Sequence, residues 1–329
     1  MRVSPKILLS VQSIIGMLII IAVIWYVGAQ GLGSTLLSAN LTYIGLCLFA
    51  YFLMNILFAI RLVRVLGMMG FKVNFFKTLL IQYGGMLASD FTPARSGYFA
   101  VPIMLNEESI PIPAGLSSIL GCQSIEFLVK ILGGTLAIAY ITTRVHLSQE
   151  LFILSIIGLA LMSFASGLIA AAMWWTKAIG VLEYLSELPL LGRIVSFFLG
   201  KISEFQRESE KVKSMIHEIL VITVISWMVK GFEWYFIGLA LNITQISFFG
   251  YFLLHPLITA LSFVPLTPSG LGFQEGAIVG VLYLLGVSPE IGLAFAILAR
   301  VLLILEDLIG VYPISRIGIK VLETVSKKK

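Results

Sequence analysis

Seven ionisable side chains lie inside or at the edge of stretches that are otherwise strongly apolar: Asp90, Arg95, Glu126, Lys130, Glu275, Arg300 and Glu306. A charge at the centre of a bilayer costs about 2.5–3.5 kcal/mol even on the mildest scale, so each of these needs a partner or a task. A guanidinium at Arg95 has the fork geometry to hold a phosphate through two parallel N–H donors; the competing readings are a topology charge or a pair with nearby Asp90. Arg300 stands mid-segment with no carboxylate at i±3 or i±4. Its partner must come from elsewhere, either a phosphate or a carboxylate such as Glu275. Glu126 and Lys130 are spaced i, i+4 and can neutralise one another on one helix face. A structural pair suits Lys130, while Glu126 is equally a candidate for lining a cavity. Glu275 follows a glycine-rich turn, where it either satisfies free amides at a helix start or binds a coupling proton or cation. Glu233 is a further buried candidate, and Asp307 is expected to be solvated.

These residues cluster around two runs of turn-formers. One is Pro265-Leu-Thr-Pro-Ser-Gly-Leu-Gly-Phe-Gln-Glu-Gly276, and the other is Ser89-Asp-Phe-Thr-Pro-Ala-Arg-Ser-Gly-Tyr98. Thr92-Pro93 answers Thr267-Pro268, and Gly97 answers Gly272 at the same offset. In lipid, a broken backbone survives only where protein or water satisfies its freed N–H and C=O groups. Matching interruptions in two halves of a chain point to a transporter's binding site. The candidate substrate contacts are therefore Arg95, Arg300, Thr92, Gly97, Thr267, Ser269, Gly270, Gly272 and Gln274. Glu275, Glu126, Lys130, Glu306 and Asp90 are the coupling or cavity-lining candidates. The glycines let backbone approach closely or take positive φ.

The elements that would carry these turns are membrane helices. Hydrophobic residues make up 59% of the chain and charged residues 12%, with a mean hydropathy of +1.02; soluble domains carry about 25% charged residues. The pattern predicts an all-α polytopic membrane protein in a single integral membrane domain over 1–329. It has about eight hydrophobic segments: about six full spans (7–27, 41–60, 114–141, 151–175, 218–241 and 290–312) and two re-entrant helical hairpins (75–105 and 248–285). The cluster Arg61, Arg64, Lys72 and Lys77 reads as cytoplasmic by the positive-inside rule, as do both termini. The net charge of +5 then reflects topology. Residues 177–216 form a cytoplasmic linker in which Ile194, Phe198, Ile202 and Phe205 recur at helical spacing, the mark of a helix on the membrane surface.

The twinning extends beyond the turns. Phe75-Phe76 answers Phe248-Phe249, Ser109-Ile-Pro111 answers Val287-Ser-Pro289, and Glu126 answers Glu306. Repeat one covers 41–141 and repeat two 218–312. The first hairpin opens to the cytoplasm and the second to the outside, so the repeat is inverted, an arrangement that places a site near the midplane.

The two turn motifs and the whole hydropathy profile resemble one family, the flippase-like transmembrane domain of lysylphosphatidylglycerol synthases and their stand-alone relatives. Tyr98 and Gln274 stand where that family commonly carries an acid and an arginine. The resemblance implies lipid translocation without lipid synthesis, since no aminoacyl-transferring domain follows residue 316.

Other chemistry lacks its motifs. His146, His217 and His255 are scattered, Cys47 and Cys122 lie within spans, and neither a phosphate-binding P-loop nor a Gly-x-Ser-x-Gly sequence is present. No metal, cofactor or nucleic acid is expected, and no enzyme activity. The leading reading is a flippase or secondary transporter of a prokaryotic cytoplasmic membrane, moving an anionic phospholipid or polyprenyl-phosphate lipid. Its partners are membrane lipids; proton or cation coupling and oligomerisation stay open. The alternatives are a transporter of a small soluble ion or metabolite, and an intramembrane enzyme acting on a lipid head group.

Overall fold

The computed structural model describes residues 29–92, 95–143, 149–175, 192–263 and 270–316, together with Ile21 and Thr267. The span expected at 7–27 and the turn residues Pro93, Pro265, Pro268 and Ser269 lie outside the described residues. All described elements are helical: α1 Ala29–Leu37, α2 Leu41–Met68, α3 Phe75–Asp90, α4 Ala100–Asn106, α5 Ile112–Thr142, α6 Gln149–Trp174, α7 Gly192–Lys213, α8 Ile216–Ala240, α9 Phe248–Leu261, α10 Phe273–Leu284 and α11 Pro289–Asp307. Short 3₁₀ turns cover Ser96–Phe99 and Leu308–Gly310.

Local chemistry sets the ends of these helices. The Asn40 side chain accepts from Thr42 N at 2.9 Å to start α2, and Asn74 accepts from Lys77 N at 3.2 Å to start α3. Ser247 accepts from Gly250 N at 3.3 Å to start α9. Such caps satisfy amides that a helix start would otherwise leave open. Pro113 and Pro289 sit in the first turns of α5 and α11, where their missing N–H is no loss. Hence Asn74 and Ser247, each followed by two phenylalanines, open the two hairpins in the same way.

Among the described residues four helices are long and apolar enough to cross a membrane: α2, α5, α6 and α8. Helix α11 has 19 residues but carries Glu290, Arg300, Glu306 and Asp307. The hairpin arms α3, α9 and α10 have 16, 14 and 12 residues. At about 1.5 Å per residue none of them spans a core of about 30 Å. Large apolar side chains face outward, among them Leu132, Phe164 and Phe49 at 66%, 65% and 62% exposure, as lipid contact requires. The protein is an all-helical polytopic membrane protein.

Packing follows the sequence twinning. Helices α2 and α8 lie against each other. Helix α3 packs on α2 and α11, and its counterpart α9 packs on α8 and α5. Each hairpin's first arm is therefore clamped between its own repeat and the last helix of the other. Glycines permit both crossings: a Cβ at Gly310 would strike the backbone of Tyr83 and Gly84, and one at Gly133 would strike Trp227 and Pro256.

Helix α7 lies in the linker where a membrane-surface helix is expected. Over its described side chains it docks on α5 and α6: Trp174 Nε1 donates to Ser209 O at 3.0 Å, and Ser209 is fully buried against Ser117. Ile194 and Phe198, half of the expected apolar stripe, have side chains outside the described residues.

Candidate functional site

Between the two repeats lies a cavity of about 360 Å³, walled by residues of α2, α3, α5, α8, α9, α10 and α11. Aromatic and aliphatic side chains make up much of its wall, including Phe58, Phe127, Trp227, Trp234 and Phe263. Set into this surface are five cations (Arg61, Arg95, Lys130, Lys230 and Arg300) and three carboxylates (Glu126, Glu233 and Glu275). Two positive charges are left in excess on the wall itself, one of them Arg95, which has Asp90 behind it at 3.8 Å.

The ion pairs form three groups. Glu126 takes both Lys130, at 2.7 Å, and Arg61, at 3.3 Å, while Arg61 Nη1 also donates to Thr223 at 2.8 Å. One carboxylate thus serves two cations, which places one of the two excess charges here; the other is Arg95. Lys230 and Glu233 pair at 2.6 Å along α8, with the ammonium 5.0 Å over the Tyr51 ring. Arg300 donates through Nε to Glu275 and through Nη2 to Gln274 Oε1 at 3.3 Å.

Glu275 caps the helix start, as one of its two expected roles requires, and also holds Arg300. One oxygen accepts from Gly272 N at 2.7 Å, closing the start of α10, and the other takes Arg300. The turn before it needs glycine because Gly270 and Gly272 have φ of 69° and 78°. Gly276 meets nothing within 4 Å of an added Cβ, so no close approach explains it.

At the first hairpin Arg95 occupies the tip in a left-handed conformation, φ 56°. Its side chain is 46% exposed and lies 3.8 Å from Asp90. Thr92 shapes the turn: its hydroxyl accepts from Gly97 N at 2.6 Å and lies 3.1 Å from Ala88 O. A Cβ at Gly97 would collide with that same Ala88 carbonyl.

Of the expected substrate contacts, Arg95, Thr267, Gly270, Gln274 and Arg300 line the cavity, and Glu126, Lys130 and Glu275 join them. Thr92, Gly97 and Gly272 build the turns from behind and are not wall residues. Ser269 lies outside the described residues. Glu306, although it answers Glu126 in the repeat, is not on the cavity wall. Asp307 is a correction. It is fully buried, not solvated, because Tyr51 on α2 donates to both of its oxygens at 3.0 and 2.9 Å.

Arg61 is the main site residue that the sequence pattern assigned elsewhere. It belongs to a cluster with Arg64, but α2 continues unbroken to Met68 and keeps Arg61 4% exposed, with its guanidinium 4.6 Å from the Phe58 ring. The signal available was its register. The two arginines are three residues apart on one side of the helix, one turn from each other along a helix that runs on past residue 60, so that Arg61 reaches Glu126 while Arg64 reaches Glu218 at 2.6 Å near the surface. Lys230 was missed as well, although its i, i+3 spacing to Glu233 was readable. His255 and Thr267 add Nδ1 and Oγ1 atoms that are buried and have no hydrogen-bond partner among the described residues, both on the cavity wall.

Comparison with known proteins agrees with this architecture. The model of the lysylphosphatidylglycerol synthase TM region matches residues 13–306. A Pyrococcus horikoshii protein named UPF0104 membrane protein PH1989 is 21% identical over 306 residues, covering 88% of this chain and 91% of its own. A Methanocaldococcus jannaschii protein named UPF0104 membrane protein MJ1078 is 33% identical over 104 residues, covering 31% of this chain and 43% of its own. With the family model spanning the spans, both hairpins and the cavity between them, this chain belongs to the family of the lysylphosphatidylglycerol synthase transmembrane region.

Proposed function

We propose that the protein moves an anionic phospholipid or polyprenyl-phosphate-type lipid between the leaflets of a prokaryotic cytoplasmic membrane. The observation that carries this reading is the cavity wall, apolar over most of its surface with five cations against three carboxylates. An amphiphile with a phosphate matches both properties: the excess cations take the phosphate, and the aromatic walls take the start of the chains. A buried positive excess is costly in a low-dielectric site unless an anion balances it.

Arg61 and Lys130 share one carboxylate and supply one of the two excess charges, while Arg95 and Arg300 flank the two broken turns. The turns themselves are the gates, because each follows a short first arm clamped by the opposite repeat. The chain carries out translocation and leaves the lipid unaltered. Both termini lie on the cytoplasmic side, as the basic residues near them require.

The test is a leaflet assay on purified protein in liposomes carrying a fluorescent phosphatidylglycerol. An impermeant reductant bleaches only the outer leaflet unless the protein exchanges lipid. Bleaching beyond the outer half, lost in Arg61→Ala, supports the reading. Half-protected signal with wild-type protein, for this lipid and for polyprenyl phosphate, would overturn it and turn attention to soluble anions.

A further inference from the structure

A second group of charged residues sits behind the cavity wall, where the two repeats meet. Asp90 is the last residue of α3 and Asp307 the last of α11. The packing of α3 against α11 and the turn after it makes the two carboxyls neighbours that act on one another. Asp307 is fully buried and receives the Tyr51 hydroxyl on both oxygens. The Asp90 side chain is 1% exposed, and neither of its oxygens accepts a hydrogen bond from a donor fixed among the described residues. The nearest cation is Arg95 Nη2 at 3.8 Å, an ion-pair distance.

The surrounding groups are otherwise engaged. Lys230 on α8 is held by Glu233, Arg300 on α11 is held by Glu275, and Glu306 on α11 and Tyr83 on α3 add no positive charge. Two neighbouring carboxyls therefore have one loosely held cation beside them. In a low-dielectric interior like charges in contact do not both ionise; one carboxyl keeps its proton and donates to the other. One proton plus Arg95 leaves the group neutral.

We propose that Asp90 and Asp307 form a proton-binding pair whose uptake of a second proton is tied, through Arg95, to the arrival of an anionic head group in the cavity. This rests on the anionic-lipid reading for its ligand but not for the proton site itself. Arg95 faces the cavity as well as Asp90, and its side chain is half exposed. A phosphate that draws the guanidinium away strips Asp90 of its counter-charge. The carboxylate then takes one proton from water, becoming a neutral acid hydrogen-bonded to Asp307, and no other bond forms or breaks. The anion and one proton thus load together. The pair also sits on the seam between α3 and α11, which Gly310 holds tight against Tyr83, so its protonation state acts where the repeats must slide.

The test uses the full chain in phosphatidylcholine nanodiscs. Infrared difference spectra in a pH titration should contain a protonated-carboxyl carbonyl band that disappears in both Asp90→Asn and Asp307→Asn. Tyr51→Phe, which keeps both carboxyls and the packing volume, should shift that band without removing it. A pH indicator should then record about one proton taken up per protein on adding short-chain phosphatidylglycerol, none with phosphatidylcholine, and none in Asp90→Asn.

No carboxyl band in wild type, or a band untouched by both substitutions, would overturn the pair. So would uptake replaced by a requirement for sodium. If the band behaves as expected but no variant or wild type moves lipid in the leaflet assay, the proton site stands and the lipid reading fails. If lipid moves equally in wild type and both Asn variants, the lipid reading stands and the coupling fails.

Discussion

Arg300 and Glu275 hold one another across the second broken hairpin: the guanidinium of α11 donates to the carboxylate that also caps the first turn of α10. One carboxylate thereby fixes both the end of the glycine turn and the position of a mid-helix cation. Breaking such a pair leaves an uncompensated buried charge, worth about 3–5 kcal/mol.

The first prediction follows from that pair. Arg300→Met should leave Glu275 without its cation and lower the melting temperature of the detergent-solubilised protein clearly, and Glu275→Gln should do so too while also loosening the turn. The combined Arg300→Met, Glu275→Gln variant should melt above the Arg300→Met single variant, because no stranded charge remains. Additive losses in the double variant would show that the two residues act independently.

The second concerns the Arg61–Glu126–Lys130 group. Arg61→Gln removes one of two cations from a shared carboxylate, so the cavity loses positive excess while Glu126 keeps Lys130. Leaflet exchange of phosphatidylglycerol should fall about tenfold, the equivalent of about 1.4 kcal/mol. Arg64→Gln, three residues along and paired with Glu218 at the surface, should leave exchange within about twofold, as expected of an exposed pair worth at most about 1 kcal/mol. Equal loss in both variants would point to general destabilisation of α2.

The third separates two glycines of the hairpin turns. Gly97→Ala places a methyl into the Ala88 carbonyl and should destabilise by about 1–3 kcal/mol. Gly276→Ala meets open space within α10 and should be neutral or stabilise by up to about 1 kcal/mol. Thermal melts of the two purified variants decide this, and a matched loss in both would contradict the packing described.

Much of this protein is legible from residue order alone, because a bilayer is an unusually strict solvent. Every backbone group at membrane depth must be satisfied internally, so composition and hydropathy already dictate helices. Glycine, proline and threonine at matched offsets mark the breaks, and the Asn74 and Ser247 caps repeat with them. Six of the seven charged residues that the sequence singled out are paired, as with Lys130 on Glu126, while Glu306 has no ion pair among the described residues.

Which of those charges face one another was decided only in three dimensions. Arg300 lies 25 residues from Glu275, Arg61 lies 65 from Glu126, and Tyr51 lies 256 from Asp307. No periodicity within one helix encodes such separations. They arise because each hairpin packs on the last helix of the opposite repeat, and ridge-and-groove fit between helices then sets which face turns inward. That packing brings Arg61 from an apparent surface cluster into the cavity, keeps Glu306 off its wall although its counterpart Glu126 lies on it, and buries Asp307 against Asp90. Sequence fixes the presence of charge in the membrane; the fold decides which carboxylate meets which cation.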